Sequence, residues 1–213
     1  MKKKILVACL CVALAVLTIA GTTLAYLTSQ DKVVNTFTVG NVQIKLDEAK
    51  ANADGTLVAN ADRVKANSYK LIPGHTYTKD PMVTVLKGSE SSYIKMTVTF
   101  TKAAELDAIF APTGADMTSI FNGYDSTNWT AKGNTKDTTA NTRTYEFWYK
   151  EAVAAPDADV ALDALFDSIT VPGSITNAQL ATIAGMTITV NAYAIQADGF
   201  ATPEAAWAAY AAA

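Results

Sequence analysis

Short runs in which apolar and polar residues alternate dominate this sequence. In residues 93–100 the apolar side chains occupy every second position from Ile94 to Phe100, and lysine or threonine fills the positions between them. Residues 143–150 and 186–195 repeat the alternation. A period of two is typical of a strand with one buried face. The sequence therefore predicts a β-strand in each of these three runs.

The alternation changes phase near residue 40. Phe37 and Val39 are apolar at odd positions, whereas the apolar residues within 42–46 stand at even positions. A shift by one residue turns the following side chains to the opposite face of a strand. We therefore expect a bulge or a tight turn at Gly40 and Asn41.

Three segments carry helix signals. Residues 102–110 contain neither Gly nor Pro and place apolar residues at helical spacing. Thr176 and Gln179 have the spacing of a capping box, which predicts a helix that begins between them. Thr202 and Pro203 suit the cap and the first position of a final helix.

The strand signals outnumber the helix signals, and this balance decides the fold class. Two further strands are predicted in residues 76–86 and 165–171, and residues 49–67 and 122–140 have the composition of loops. Seven or more short strands with turn-rich connections predict an all-β, antiparallel sandwich with a few short peripheral helices. Among sandwich folds we favour a jelly roll.

The amino terminus has the order of a secretory signal peptide. Three lysines at positions 2–4 precede an uncharged apolar run, residues 5–20, and small residues lead to Ala25. The run is shorter than the roughly 20 apolar residues of a spanning helix. We predict cleavage after Ala25, so that Tyr26 begins a mature domain of residues 26–213. An uncleaved anchor is the alternative.

Composition then narrows the compartment and the partners. Both cysteines, Cys9 and Cys11, lie in the predicted leader, where we interpret them as apolar residues of the signal and keep lipid attachment at Cys9 as an alternative. The mature chain would contain no disulfide and would depend on core burial. The chain has 17 basic and 20 acidic residues and no basic patch, so we expect no nucleic-acid partner. We expect the membrane to matter only through the leader before cleavage.

Residues suited to catalysis are few. The chain has one histidine, His75, in a sequence typical of a turn, so neither a zinc-protease helix nor a serine triad with its nucleophile elbow can be assembled. The carboxylate pairs Asp47-Glu48 and Asp157-x-Asp159 are predicted to be solvated. We expect no enzymatic activity and no cofactor or metal, with calcium on the acidic loops left open.

Two aromatic residues in the predicted loop 122–140 allow another function. An exposed Trp129, together with Tyr124, could form a contact surface and stack on a sugar. The interpretation we favour is that Trp129 anchors the loop or belongs to the core. The first interpretation would suit a monomeric cell-surface adhesin or a carbohydrate- or protein-binding module.

Two blocks of sequence resemble the TasA/camelysin family. The first is the small-residue stretch that ends in an Ala-aromatic junction and is followed by Asn-x-Phe-x-x-Gly-Asn; the second is a Pro-Gly block that ends in Lys-Asp. The matching positions are Ala25, Tyr26, Asn35, Phe37, Gly40, Asn41, Pro73, Gly74, Lys79 and Asp80.

The resemblance implies a jelly-roll sandwich that is exported from a Gram-positive-type bacterium after cleavage by a SipW-type signal peptidase. It implies a place at the cell surface or in the extracellular matrix, as a subunit or accessory of biofilm fibres. The partners would be other copies of this chain, in a head-to-tail homopolymer, or related matrix subunits. Residues 26–39 would then act as a strand donated to the next subunit, although the same residues could form an ordinary first strand. Some relatives are described as proteases, but this chain lacks the histidine pair for that activity.

Overall fold

The computed structural model describes residues 40–110 and 120–212, all of them within the unit Val39–Ala213. The predicted leader and donor segment lie outside these residues. The described chain is strand-dominated, with antiparallel pairing throughout and three short helices, which confirms the predicted class. The strands are β1 (Ile44–Asp47), β2 (Thr76–Thr78), β3 (Met82–Val85), β4 (Ser89–Thr101), β5 (Phe121–Asn122), β6 (Trp129–Asp137), β7 (Thr142–Tyr149), β8 (Val153–Ala155), β9 (Val160–Ala161), β10 (Ser168–Thr170) and β11 (Ile188–Gln196).

The strands form three sheets. The largest has the order β11-β4-β7-β6, with β8 also paired to β4. The two smaller sheets have the orders β1-β3-β9 and β2-β10-β5. The three strongest sequence predictions became β4, β7 and β11, which are neighbours in the large sheet.

The core lies between the large sheet and the smaller ones. The alternating face of β4, from Ile94 to Phe100, is almost fully buried, as alternation predicts. The ring of Phe100 lies 5.6 Å from that of Phe121 on β5, and Phe121 stacks on Phe166 at 3.6 Å. These aromatic contacts join the sheets into one apolar core, so the arrangement is sandwich-like.

All three predicted helices form. They are α1 (Ala103–Phe110), α2 (Asn177–Thr182) and α3 (Pro203–Ala211). The Thr176 side chain accepts a hydrogen bond from Gln179 N, and the Gln179 side chain closes the capping box. Thr202 caps α3 in the same way, by accepting from Ala205 N.

Three predictions of element boundaries were wrong. Residues 76–86 form two strands in different sheets, because strand pairing is interrupted at residues 79–81, where Pro81 has no N–H to donate to a ladder. Only Ser168–Thr170 of residues 165–171 is a strand. The predicted loop 122–140 contains β6, a mostly exposed edge strand that keeps its polar side chains in solvent and is bulged between Ala131 and Gly133.

Candidate functional site

A groove of about 1040 Å³ opens between the edge strands β1 and β11. We call it the edge groove. One wall consists of the end of β1, residues 64–69 and Leu71; the other consists of α2, the turn after it and the first residues of β11. Among the described strands, β1 and β11 are each last in their sheet, so the groove lies where the two layers do not close on each other.

The lining of the edge groove is mainly apolar. Its partly buried apolar side chains come from both walls, and they pack against the core on one side while remaining accessible from the groove. They include Leu46, Leu71, Leu180, Met186, Ile188 and Val190. An accessible apolar concavity of this size is the kind of surface that binds another molecule or segment.

Among the described residues, the outer edge of β11 is not paired with another strand beside this groove. Thr101 N donates to Thr187 O at 3.1 Å, and Ala197 N donates to Ser91 O at 2.8 Å. Odd-numbered residues of β11 therefore face β4, and the N–H and C=O groups of even-numbered residues such as Val190 and Ala192 point away from it. No strand within residues 40–110 and 120–212 pairs with that edge.

The edge of β1 is partly occupied. Glu48 and Val64 exchange two backbone hydrogen bonds, at 2.9 and 2.7 Å, and Lys65 Nζ donates to Leu46 O. β11 is therefore the more open of the two groove edges.

An ionic cluster stands at the base of the β1 wall. Arg63 Nε donates to Asp47 Oδ1 at 2.6 Å, while its terminal nitrogens donate to Asp80 Oδ2 at 2.9 Å and to the Asp80 carbonyl at 2.8 Å. Lys45 forms a further ion pair with Asp47 at 2.6 Å. The planar guanidinium thus joins two acidic residues, which pins the loop that carries Arg63 to the strands.

Charge and burial oppose each other at Asp47. Burial raises the pKa of this carboxyl, but hydrogen bonds from Lys45 and Arg63 lower it by more, so the pKa lies below its usual value. Burial lowers the pKa of Arg63, and hydrogen bonds to Asp80 and Asp47 raise it by more. Both groups are therefore charged in the folded protein at neutral pH.

A second, more buried pair adjoins the first. Lys79 Nζ lies 2.5 Å from Glu48 Oε2, and the two side chains are only 8% and 9% exposed. Asn67 Nδ2 donates to the other oxygen of Glu48 at 3.0 Å. Burial, followed by the Glu48 charge, raises the pKa of Tyr69, which therefore stays neutral.

The structure places six of the ten family-motif residues. Asp80 and Lys79 belong to the charged clusters just described. Pro73 and Gly74 form a turn in which Gly74 has a φ of +78°, which favours glycine. The Asn41 carbonyl accepts from Glu90 N at 2.9 Å, next to exposed Gly40. The other four motif residues lie outside the described residues: Ala25, Tyr26, Asn35 and Phe37. The residues that precede the phase change expected at residue 40 lie outside them as well.

One prediction about polar residues was wrong, and the structure decides between the two interpretations of Trp129. The pair Asp47-Glu48 is not solvated but buried in the clusters, because Arg63 and Lys79 arrive from distant segments to neutralise it. Trp129 is 1% exposed and donates its indole N–H to Asp163 O at 3.2 Å, so it is a core residue and cannot stack on a sugar. The sequence offered one signal against solvation of this pair, namely a lone arginine within an otherwise Ala-, Asn- and Asp-rich loop.

Two other predictions are confirmed. His75 is exposed in its turn, and Asp157 and Asp159 are exposed. Within the described ranges, no three or more His, Cys, Asp or Glu side chains gather in a way that could hold a metal ion. The helices described here are all too short or too polar to cross a membrane.

The chain matches no family model, no curated protein and no solved structure.

Proposed function

We propose that this protein is a secreted structural subunit, or an accessory, of extracellular matrix fibres of the TasA/camelysin kind. After export and cleavage behind Ala25 by a SipW-type peptidase, residues 26–39 of one subunit would add as a strand in the edge groove of the next. The observation that carries the proposal is the open edge of β11 beside an apolar groove.

The chemistry of that edge suits a donated strand. The outward N–H and C=O groups of β11 offer a ladder of backbone hydrogen bonds, and the groove offers apolar sites for every second side chain. β11 has nine residues, so its edge is about 30 Å long at about 3.3 Å per residue. Residues 33–39, the part with strand character, would span about 23 Å and fit within it.

The course of the chain favours donation to a neighbour over insertion into the same subunit. Gly40 and Asn41 lie beside Ala194 and Gln196, whereas Leu46 lies beside the start of β11 across the groove. β1 therefore runs opposite to β11. Residues before Gly40 that continued the direction of β1 would leave the groove, and only a reversal at Gly40 would bring them back. Because donation is head-to-tail, it would propagate into a fibre.

The same organisation supports the finer fold proposal. One large and two small antiparallel sheets around a shared core are compatible with a jelly roll whose second layer is split. A strand added at β11 would extend the large sheet and cover the gap between the layers.

Removing the donor segment tests the proposal. Purified protein that begins at Tyr26 should form fibres visible by electron microscopy, and deletion of residues 26–35 should leave soluble single particles with an unchanged circular dichroism spectrum. A synthetic peptide of residues 26–39 should bind the truncated protein. Unchanged polymerisation after the deletion would eliminate the donor role. A full-length mature protein that sediments as a monomer at high concentration would favour the binding-module alternative.

A further inference from the structure

The Lys79–Glu48–Asn67 trio joins an amine, a carboxylate and a carboxamide in one place. Lys79 Nζ is 2.5 Å from Glu48 Oε2, and Asn67 Nδ2 is 3.0 Å from Glu48 Oε1. Each nitrogen is therefore one hydrogen bond away from the same carboxylate. The lysine and the glutamate are shielded from water, which strengthens their interaction.

The Asn67 amide is held in a defined orientation. Its Oδ1 accepts a hydrogen bond from Ala51 N at 2.9 Å, and its Nδ2 also donates to Ala49 O at 2.8 Å. The carbonyl oxygen is thus polarised by a backbone N–H, in the position of an oxyanion donor, while the amide nitrogen faces an acid-base group.

We propose that this trio is a modification site, at which an intramolecular isopeptide bond forms between Lys79 Nζ and Asn67 Cγ. Glu48 is the proton carrier. It accepts a proton from the lysine ammonium, which frees the amine to attack Cγ. The negative charge that develops on Asn67 Oδ1 is stabilised by the Ala51 N–H.

The step balances without any further reactant. The new N–C bond forms as the Cγ–Nδ2 bond breaks, and Glu48 passes the first lysine proton to Nδ2, which leaves as ammonia. A second proton lost from Lys79 Nζ converts the ammonia to ammonium and leaves Glu48 as a carboxylate again. No electrons are transferred, so neither an oxidant nor a nucleotide is required.

A comparison within the chain shows what distinguishes this trio. Asn141 Nδ2 also donates to a carboxylate, Glu105 Oε2, at 2.8 Å. No lysine of the described segments is hydrogen-bonded to Glu105, and Lys102 and Lys136 act on its carboxylate only through space. Asn141 therefore serves as a control with the same side chain but no nucleophile.

The bond would have a mechanical consequence. All three residues line the edge groove. A covalent link from Asn67 to Lys79 would fix the loop wall of the groove to the chain that follows β2, and it would keep that wall in place under load or in denaturant. This inference does not depend on the proposed function.

Intact-mass spectrometry of the denatured full-length mature protein tests the inference. The wild type should be lighter than its sequence by one ammonia, and peptide mapping should yield a branched peptide that joins Asn67 to Lys79. Glu48→Gln, Lys79→Met and Asn67→Ala should each have the full sequence mass, whereas Asn141→Ala should still lack one ammonia. Because mass is read on denatured chains, a variant that folds poorly still gives an answer.

Two results would overturn the assignment. One is a folded wild-type protein with its full sequence mass, which would leave the trio as a hydrogen-bonded ion pair only. The other is a mass loss that maps to different residues or persists in Glu48→Gln.

Discussion

At the scale of single residues, Arg63 has a structural role that its sequence context does not indicate. It comes from a loop with little secondary structure and forms hydrogen bonds with both Asp47 and Asp80. Its removal would leave two carboxylates near each other, one of them buried, without their shared counter-ion. Lys45 would remain as a counter-ion of Asp47, but loss of the partner shared by two carboxylates, one of them buried, costs more than a surface ion pair contributes.

Replacement of Arg63 by Ala should therefore destabilise the fold by about 2–4 kcal/mol. Arg63→Lys keeps the charge but loses the two-sided fork, so its free energy of unfolding should lie between those of Arg63→Ala and the wild type. Urea unfolding followed by circular dichroism measures both. Equal stability of Arg63→Ala and wild type would mean that the cluster does not hold the loop.

Acid should weaken the protein through the same cluster. Hydrogen bonds from Lys45 and Arg63 outweigh burial and keep the pKa of Asp47 below 3.8 in the folded state, so the unfolded chain takes up a proton first as the pH falls. The stabilisation is complete above the ordinary carboxyl pKa and is lost as the pH falls through the lower, folded-state pKa. The free energy of unfolding should decrease between about pH 5 and pH 2. A smaller decrease is expected in Arg63→Ala, and an equal one would argue against Asp47 as a source.

At the scale of elements, α3 shows how a short helix is held by packing. Its alanine-rich sequence offers little apolar area, but Trp207 is buried against the outer face of the large sheet. The Trp207 ring lies 6.2 Å from that of Trp148, and Lys95 Nζ lies 4.5 Å from the ring of Trp207. One buried aromatic side chain with a cation over its face is thus a main anchor of the helix, and Tyr210 adds a ring contact with Tyr193 at 5.9 Å.

Trp207→Ala should release α3 from the sheet while β4 and β11 remain paired. We expect a loss of about 3 kcal/mol in local stability and faster amide exchange confined to residues 203–211. Tyr210→Ala, at a position that is 43% exposed, should have a much smaller effect. Hydrogen exchange with mass spectrometry makes the comparison, and unfolding of the whole domain in Trp207→Ala would show that α3 is integral to the core.

Sequence and structure agree best for elements whose signals are local. Alternation identified β4, β7 and β11, and cap residues identified α2 and α3, because both patterns depend on neighbours in the chain. β6 was missed because its polar residues show no strand-like alternation. It becomes a strand only through pairing with β7. The Asp47-Glu48 pair was misjudged for a similar reason, since its counter-ions are brought from Arg63 and Lys79 by folding.

At the scale of the whole molecule, the open edge of β11 is the feature on which assembly would depend. Odd-numbered residues already bond to β4, so loss of the backbone N–H at an even-numbered residue removes a hydrogen-bond donor from the outer edge and none from the β4 ladder. Val190 is such a residue, and it also lines the edge groove.

Val190→Pro should abolish fibre formation while leaving the fold intact. Proline removes an N–H that points away from β4, and proline is tolerated on an edge strand in that position. Val190→Ala shortens the side chain but keeps the N–H, so it should still polymerise, with a higher critical concentration. Light scattering and electron microscopy measure assembly, and circular dichroism checks folding. Normal fibres from folded Val190→Pro would rule out strand addition at this edge.

The sequence by itself determined the all-β class, the principal strands and the caps of two helices, because side-chain periodicity and local hydrogen bonding are properties of consecutive residues. Only the tertiary structure decided that Arg63 and Lys79 meet Asp47, Glu48 and Asp80, that Trp129 is internal, and that a groove lies open between β1 and β11. Those features join residues far apart in the chain, and their energies come from burial and from charges that are neighbours only after folding.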